Sequence, residues 1–400
     1  MTPGRSGLLS GPDDTRISYR HWQPGDDAQL WPMINSVGWL SEDRYATKFN
    51  DLGLMEDSIV VAETDGEIIG HCLTAIRTLI HGEARLRFGN VGQVLVRDQY
   101  RGQKIGAELY ARTLKFAEDH DISAIWLVAH PGRGPAYEMY LRRGFEVVQG
   151  RMAAIGRAEP SPTGLEVRRA RRSETRIIAN LRETFAATTS GVEDRNTNVS
   201  SGTEWHIVRN GETPVAAAAI RRVDDLQTVA SLLYATQNDP TGYLEAVITK
   251  LELNSFQLHG SPRGHLVKTT PWLPWEKRSG ENLIYIVSLE RLFHQLAPFL
   301  QARASEIGLG SARLTISTGN ERLTIELADE QVGNTDPRPG DTELRFDRGG
   351  LASFLFGTRD LGEAVAEGTV TLGAGDLDLH TVSAWLSPFD HCDFTQLAGW

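Results

Sequence analysis

Apolar and polar positions along the chain recur in two periods, and the switches between them mark its elements. Ile17 to Trp22 alternates in the two-residue period of a half-buried strand and runs into a helix start at Asp26; Leu165 to Ala170 repeats the pattern ahead of Glu174. Val60 to Gly70 reads as a hairpin around an Asp65-Gly66 turn, and His206 to Ala216 as a second hairpin around Asn210-Gly211. From Ile105 to about His120 the period becomes that of an amphipathic helix. Ala124 to Ala129 is then continuously apolar, the mark of a strand covered on both faces.

The strand starts Ile17 and Leu165 lie 148 residues apart and the turns at Asp65 and Asn210 lie 145 apart, so nearly one offset relates both pairs and a duplicated domain is expected. Glu159 to Gly164, rich in Pro and Ser, reads as the linker between the copies. Beyond about Arg291 the texture changes to a helix from Leu292 to Glu306, short strands at Arg313, Arg322 and Thr342, a helix from Arg348 to Gly357 and a strand-like stretch from Ala366 to Leu372. The expectation is an α+β chain with a disordered leader at 1–16, a first domain at 17–158, a second at 159–290 and a terminal domain at 291–400.

Composition narrows the class without choosing a chemistry. The 52 acidic against 41 basic residues leave a net charge of −11, which argues against nucleic acid or an anionic membrane as partner and suits a cationic substrate. Cys72 and Cys392 are too few for a disulfide framework, so a reducing, cytoplasmic location is expected. No apolar run approaches the length of a membrane span.

Chemistry concentrates where the strand ending Val94, Leu95, Val96 runs through Arg101, Gly102, Gln103 and Lys104 into the helix opened by Ile105, Gly106 and Ala107. At such a junction the first N–H groups of the helix have no intrahelical partner and the dipole adds positive charge, which suits a pyrophosphate. Gly102 and Gly106 remove Cβ atoms from its path, and Arg101, Gln103 and Lys104 supply donors. Such turns also serve packing alone. The second copy has no such run: Thr228 to Ala235 leads through Asp239, which would repel a phosphate, to a helix from Tyr243 to about Leu253. It reads as the same fold without a cofactor site.

The order of strand, phosphate turn, helix, strand, short helix ending in Tyr140-x-x-x-Gly144-Phe145 and strand resembles the GCN5-related N-acetyltransferase (GNAT) family. Residues 101–107 occupy that family's Arg/Gln-x-x-Gly-x-Gly/Ala motif, with one departure, Lys104 in place of the first glycine. The resemblance implies acetyl-CoA as co-substrate, no metal, an oxyanion donor from the backbone of Val94, Leu95 or Val96, and Tyr140 as the general acid that protonates the departing thiolate. A phenol with a pKa of about 10 can donate at neutral pH without prior activation. Tyr137, three residues earlier, is the decoy on the same helix face. The terminal domain resembles the sterol carrier protein 2 fold, and the three-part order resembles the enhanced-intracellular-survival (Eis) acetyltransferases. That resemblance implies transfer to a primary amine of an aminoglycoside-like or polyamine molecule or a lysine side chain, a homo-hexamer, and the terminal carboxylate, here on Trp400, as proton acceptor. The acids and aromatics between Trp22 and Phe49, Asp26 and Trp39 foremost, are the candidates for recognising the acceptor. Asp390-His391-Cys392-Asp393 holds metal-capable atoms, but adjacent residues rarely converge on one ion. Two other classes stay open: an acyl-CoA sensor without turnover, and a lipid carrier acting through a large apolar pocket in the last domain.

Overall fold

The computed structural model describes residues 17–37, 42–46, 48–51, 54–132, 135–156, 164–188, 192–193, 203–223, 226–235, 240–252, 256–260, 273–319, 321–346, 350–357 and 359–386. The expected leader, Trp39, Asp239, the run from Asp390 to Asp393 and Trp400 lie outside the described residues.

The first half holds strands β1 (Ser18–His21), β2 (Ile59–Thr64), β3 (Glu67–His81), β4 (Ala84–Val96), β5 (Ala124–Ala129) and β6 (Glu146–Gly156). Its helices are α1 (Asp27–Ser36), α2 (Glu42–Ala46), α3 (Lys48–Asp51), α4 (Ile105–Asp119) and α5 (Ala136–Arg142). The second half holds β7 (Glu166–Arg169), α6 (Thr175–Thr188), β8 (Val192–Glu193), β9 (Thr203–Asn210), β10 (Thr213–Val223), β11 (Leu226–Ala235), α7 (Pro240–Lys250), β12 (Phe256–Gly260) and β13 (Trp275–Ile286). Among the described residues these strands form one sheet in the order β1-β2-β3-β4-β5-β13-β6-β12-β11-β10-β9-β7, with β8 paired to β3 off the main path. The order is a palindrome: β1 mirrors β7, β2 mirrors β9, and so inward to β13 and β6, which lie side by side at the centre. Each of these two separates the strands of the opposite half, β13 sitting between β5 and β6, and β6 between β13 and β12.

Both expected hairpins form, with Asp65 and Gly66 at φ 51° and 78° in the first and Gly211 at φ 59° in the second. Positive φ at both central residues matches the right-handed twist of the flanking strands, which is why Asp-Gly is favoured there. The amphipathic pattern of α4 buries Ile105, Leu109, Tyr110 and Phe116 against β2, β3 and β5. On the opposite face α1 covers the sheet with Leu30, Met33 and Ile34 over Val61, Leu73 and Ala75.

The last unit begins with α8 (Leu289–Glu306), capped by Ser288, whose side chain accepts from the Arg291 N–H at 3.2 Å. Strands β14 (Ala312–Ser317), β15 (Arg322–Ala328), β16 (Gln331–Thr335), β17 (Thr342–Phe346) and β18 (Val370–Leu372) form a separate sheet ordered β16-β15-β14-β17-β18. Helices α9 (Leu351–Phe356), α10 (Leu361–Ala366) and α11 (Leu379–Leu386) complete it. Asp360 caps the start of α10 by accepting from the Glu363 N–H, and Ala366 is its last residue. The unit shares one core with the large sheet: Leu86, Phe88, Trp126 and Ile284 pack with Leu292, Phe293 and Phe356. Phe88 and Phe356 meet edge to face at 5.3 Å, and Ser353 donates to Glu146 from its N–H and its hydroxyl at 3.0 and 3.1 Å.

Candidate active site

The sheet opens where the motif lies. β4 pairs in parallel with β5 only over Phe88 to Asn90, opposite Ala124 to Trp126. Beyond Asn90 the two strands part, so among the described residues the β5-side edge of β4, including Val94, Leu95 and Val96, has no strand partner. On its other edge β4 follows β3 with an irregularity: Gly92 opposes Leu73 and Leu95 opposes His71, so Gln93 and Val94 together face Cys72. This is a β-bulge, and Gln93 adopts φ 54°, a conformation that costs a residue with a side chain about 1–2 kcal/mol. The bulge turns the backbone groups of Val94 relative to a regular strand. Sequence reasoning passed over Gln93, although a polar residue inside the apolar run from Val91 to Val96 was a visible signal.

The chain then turns through a short helical segment at Asp98–Tyr100 into the cradle. Gly102 has φ 84° and Lys104 φ 63°, so the position that the family motif gives to glycine does take a left-handed backbone here. No side chain caps α4; the Ala107 and Glu108 N–H groups donate to the Lys104 carbonyl at 2.9 and 3.2 Å, so among the described residues the N–H groups of Ile105 and Gly106 are the ones left for a ligand. A Cβ built on Gly102 or Gly106 meets nothing within 4 Å, so the space before the helix is open on the side a pyrophosphate would take. Gln103 and Lys104 are exposed. Arg101 pairs with Asp98 at 2.8 Å, but both side chains are mostly exposed, and such a pair exchanges readily for a better anion. Arg97 is committed elsewhere, donating to the Ile68 carbonyl at 2.8 Å.

Tyr140 sits on α5 with 5% exposure, its ring among Phe145 at 5.2 Å and Tyr110 at 6.2 Å. Burial, and after it the neighbouring Cys72, pushes its phenol well above the ordinary value of 10.0, so it keeps its proton. Among the described residues its hydroxyl has no hydrogen-bond partner. Tyr137 differs on this point: its hydroxyl donates to Glu281 of β13, and burial followed by that bond pushes it up to about 12. The two phenols share a helix face, yet only Tyr140 has its proton uncommitted.

On the acceptor side the fold brings some expected residues together and uses them up. Asp26 is buried and takes two hydrogen bonds from Arg20 at 2.7 and 2.9 Å and one from the Gln23 N–H at 2.8 Å. Burial would raise its pKa, but the Arg20 guanidinium and the Gln23 N–H outweigh that and hold it below the carboxylate range. The same set recurs at an offset of 148 residues. Arg168 donates to Glu174 at 2.7 Å, and the Arg171 N–H donates to the same carboxylate at 2.9 Å. Since the sequence of the second half has no Arg/Gln-x-x-Gly-x-Gly/Ala run, this clasp goes with the strand-to-helix junction rather than with a phosphate motif. Asp27 accepts from Lys48 at 2.8 Å, Tyr45 at 2.7 Å and the Trp22 indole at 2.9 Å. The Lys48 ammonium also lies 4.4 Å from the centre of the Tyr45 ring and 5.0 Å from that of Phe49. His120 pairs with Asp57 at 2.8 Å and meets Phe116 edge to face at 4.2 Å. No group of three or more metal-capable side chains occurs among the described residues, and no helix is long and apolar enough to cross a membrane.

Residues 26–145 match the model of the acetyltransferase (GNAT) family. No curated protein matches the chain. Several solved structures share its fold over nearly their whole length. A GCN5-related N-acetyltransferase from Anabaena variabilis is 15% identical with a TM-score of 0.68, covering 94% of this chain and 97% of its own. Another from Kribbella flavida is 14% identical with a TM-score of 0.66, covering 94% and 96%. Eis1 from Mycobacterium abscessus is 14% identical with a TM-score of 0.56, covering 94% and 99%. Over nearly its whole length the chain therefore shares the α+β fold of these structures.

Proposed function

We propose, from the premise that residues 26–145 carry the GNAT pattern and that the chain is an acyltransferase, that it moves the acetyl group of acetyl-CoA directly onto a primary amine. The family uses acetyl-CoA as co-substrate. The observation that carries the reading is one juxtaposition: an uncapped helix start lined by open glycine positions, an unpaired strand edge beside it, and a buried phenol that keeps its proton. Arg101, Gln103, Lys104 and the Gly106 N–H would hold the pyrophosphate, with Ala107, whose N–H goes to the Lys104 carbonyl, closing the turn beside it, and the edge of Val94 to Val96 would hold the acyl arm and its carbonyl. Bound there, the thioester supplies the activated acetyl group. Tyr140 then holds the proton that the departing sulfur takes up, and Tyr137, tied to Glu281, leaves that role to its neighbour.

The amine must lose a proton, and in this reading the carboxylate of Trp400 takes it through solvent. The acceptor is a cationic small molecule, aminoglycoside-like or a polyamine, or a lysine side chain, in keeping with the net charge of −11. Asp26, paired to Arg20, supports the wall made by α1 rather than meeting the amine, and Trp39 stays the proposed aromatic contact. Residues 17–158 and 159–290 are read as tandem copies of one unit. The palindromic strand order and the recurring clasps of Arg20 with Asp26 and Arg168 with Glu174 support that reading. Residues 291–400 are read as the sterol carrier protein 2-like unit. A cleft in it is lined by Arg313, Glu326, Arg338 and Asp341 together with Leu309, Leu327 and Leu377.

The test is release of coenzyme A thiol from acetyl-CoA against aminoglycosides, polyamines and lysine peptides, comparing the native chain with Tyr140→Phe and with a chain lacking Trp400. A fall in kcat of about 100-fold in Tyr140→Phe, within the range of general acid catalysis, is expected. Acetyl-CoA binding without thiol release from any amine would overturn the reading.

A further inference from the structure

Strand β13 belongs by sequence to the second half, yet it is built into the wall of the candidate site in the first. It pairs with β5 from Ala124 to Ala129 on one edge and with β6 on the other. At one rung, two successive residues of β13 reach opposite faces of the sheet. Glu281 accepts the hydroxyl of Tyr137 on α5. Asn282 accepts the indole N–H of Trp126 on β5 at 3.1 Å, and the Trp126 carbonyl accepts from the Asn90 side chain at 3.5 Å. An indole N–H can only donate, so the oxygen of Asn282 faces it. Further along β13, Tyr285 packs on Phe145 at 5.6 Å and comes within 3.5 Å of a Cβ built on Gly144.

These contacts matter because of what they hold. Helix α5 has seven residues and no side-chain cap. A helix so short does not hold its own geometry, since isolated helices below about 12–15 residues are marginal in water. Its position is therefore set by neighbours, and β13 holds it at both ends, at Tyr137 through Glu281 and at the Gly144-Phe145 turn through Tyr285. Tyr140 lies between these two anchors.

We propose that Glu281 is a positioning residue for the transfer reaction: by holding Tyr137 it fixes α5 and aims Tyr140. The second copy thereby contributes to the reaction of the first although it lacks a phosphate turn of its own. The proposal rests on the transferase reading above. Glu281→Ala lowers kcat by about tenfold, the order of loss that follows from slight misplacement of a catalytic group, and leaves KM for acetyl-CoA within about twofold. Glu281→Gln, whose amide oxygen accepts the same phenol, retains most of the activity. Tyr137→Phe lowers kcat in the same way, and the loss in the double variant is smaller than the product of the two single losses, because both changes remove the same Tyr137–Glu281 bond. In parallel, hydrogen exchange over residues 136–145 is faster in Glu281→Ala than in the native chain, while exchange over α4 is unchanged.

Activity of Glu281→Ala within about twofold of native, or losses in the double variant that multiply those of the singles, would overturn the proposal. If the native chain releases no thiol with any amine, the transferase reading fails by itself and the exchange arm decides whether Glu281 holds α5. Unchanged exchange over residues 136–145 then refutes the clasp, and faster exchange upholds it.

Discussion

Lys104 stands in a left-handed backbone at φ 63° where the family motif asks for glycine, so one residue carries two opposed demands. The conformation costs about 1–2 kcal/mol in a residue with a side chain, while the ammonium adds a cation at the mouth of the cradle. Lys104→Gly is therefore expected to raise stability by about 1 kcal/mol and to weaken acetyl-CoA binding, with thermal melting and calorimetric titration as the two readouts. Gly106→Ala puts a methyl group into open space, so the first turn of α4 gains up to about 1 kcal/mol in helix propensity. The same methyl intrudes on the pyrophosphate, and acetyl-CoA binding weakens while the melting temperature rises. His71 makes a different demand. It is fully buried on β3 and neither ring nitrogen has a partner. Burial pushes it down from 6.5 to about 3. Between those values the unfolded chain takes up a proton that the folded one refuses, so stability falls as the pH drops from 6.5 toward 3, by up to about 1.4 kcal/mol per pH unit. In denaturant titrations at pH 7 and pH 5, His71→Leu should show a smaller difference than the native chain.

At the scale of elements, what the sequence made legible and what it hid have separate physical causes. The helix from Ile105 and the strand from Ala124 to Ala129 were read within a residue of their ends, because burial on one face or on both imposes periods that a single chain segment records. The positions of Tyr140 and the glycine turn followed from local order in the same way. The bulge at Gln93 was missed because it depends on the register between β3 and β4, and Glu281 was missed because nothing near it in sequence announces a partner on α5. Asp26 was read by its residue type alone, whereas its partner Arg20 sits across a strand-to-helix junction. That junction is testable: Asp26→Asn should cost about 1 kcal/mol, because the half-buried Arg20 guanidinium loses one charged partner and keeps the other, Glu63. KM for the acceptor amine should stay unchanged, whereas a rise in KM with stability intact would make Asp26 a recognition residue after all.

For the whole molecule the decisive feature is the central pair β13 and β6, each inserted among the strands of the other half. A fragment ending at residue 158 contains the entire GNAT motif but lacks the strand that lies between β5 and β6 and covers Phe145 through Leu283 and Tyr285. It should be insoluble or molten by near-UV circular dichroism, and a soluble, cooperative fragment that binds acetyl-CoA would show that the first half folds by itself. The boundary near residue 158 thus separates two stretches of sequence without separating two folding units. Time adds a consequence of its own. At roughly 5–20 residues per second of synthesis, the stretch from β6 to β13 takes on the order of 6–25 seconds to emerge from the ribosome. During that interval the half-built sheet exposes an unpaired edge of β5 to the cell, so the nascent chain must be shielded by chaperones or delayed in its collapse until residue 286 has cleared the exit tunnel.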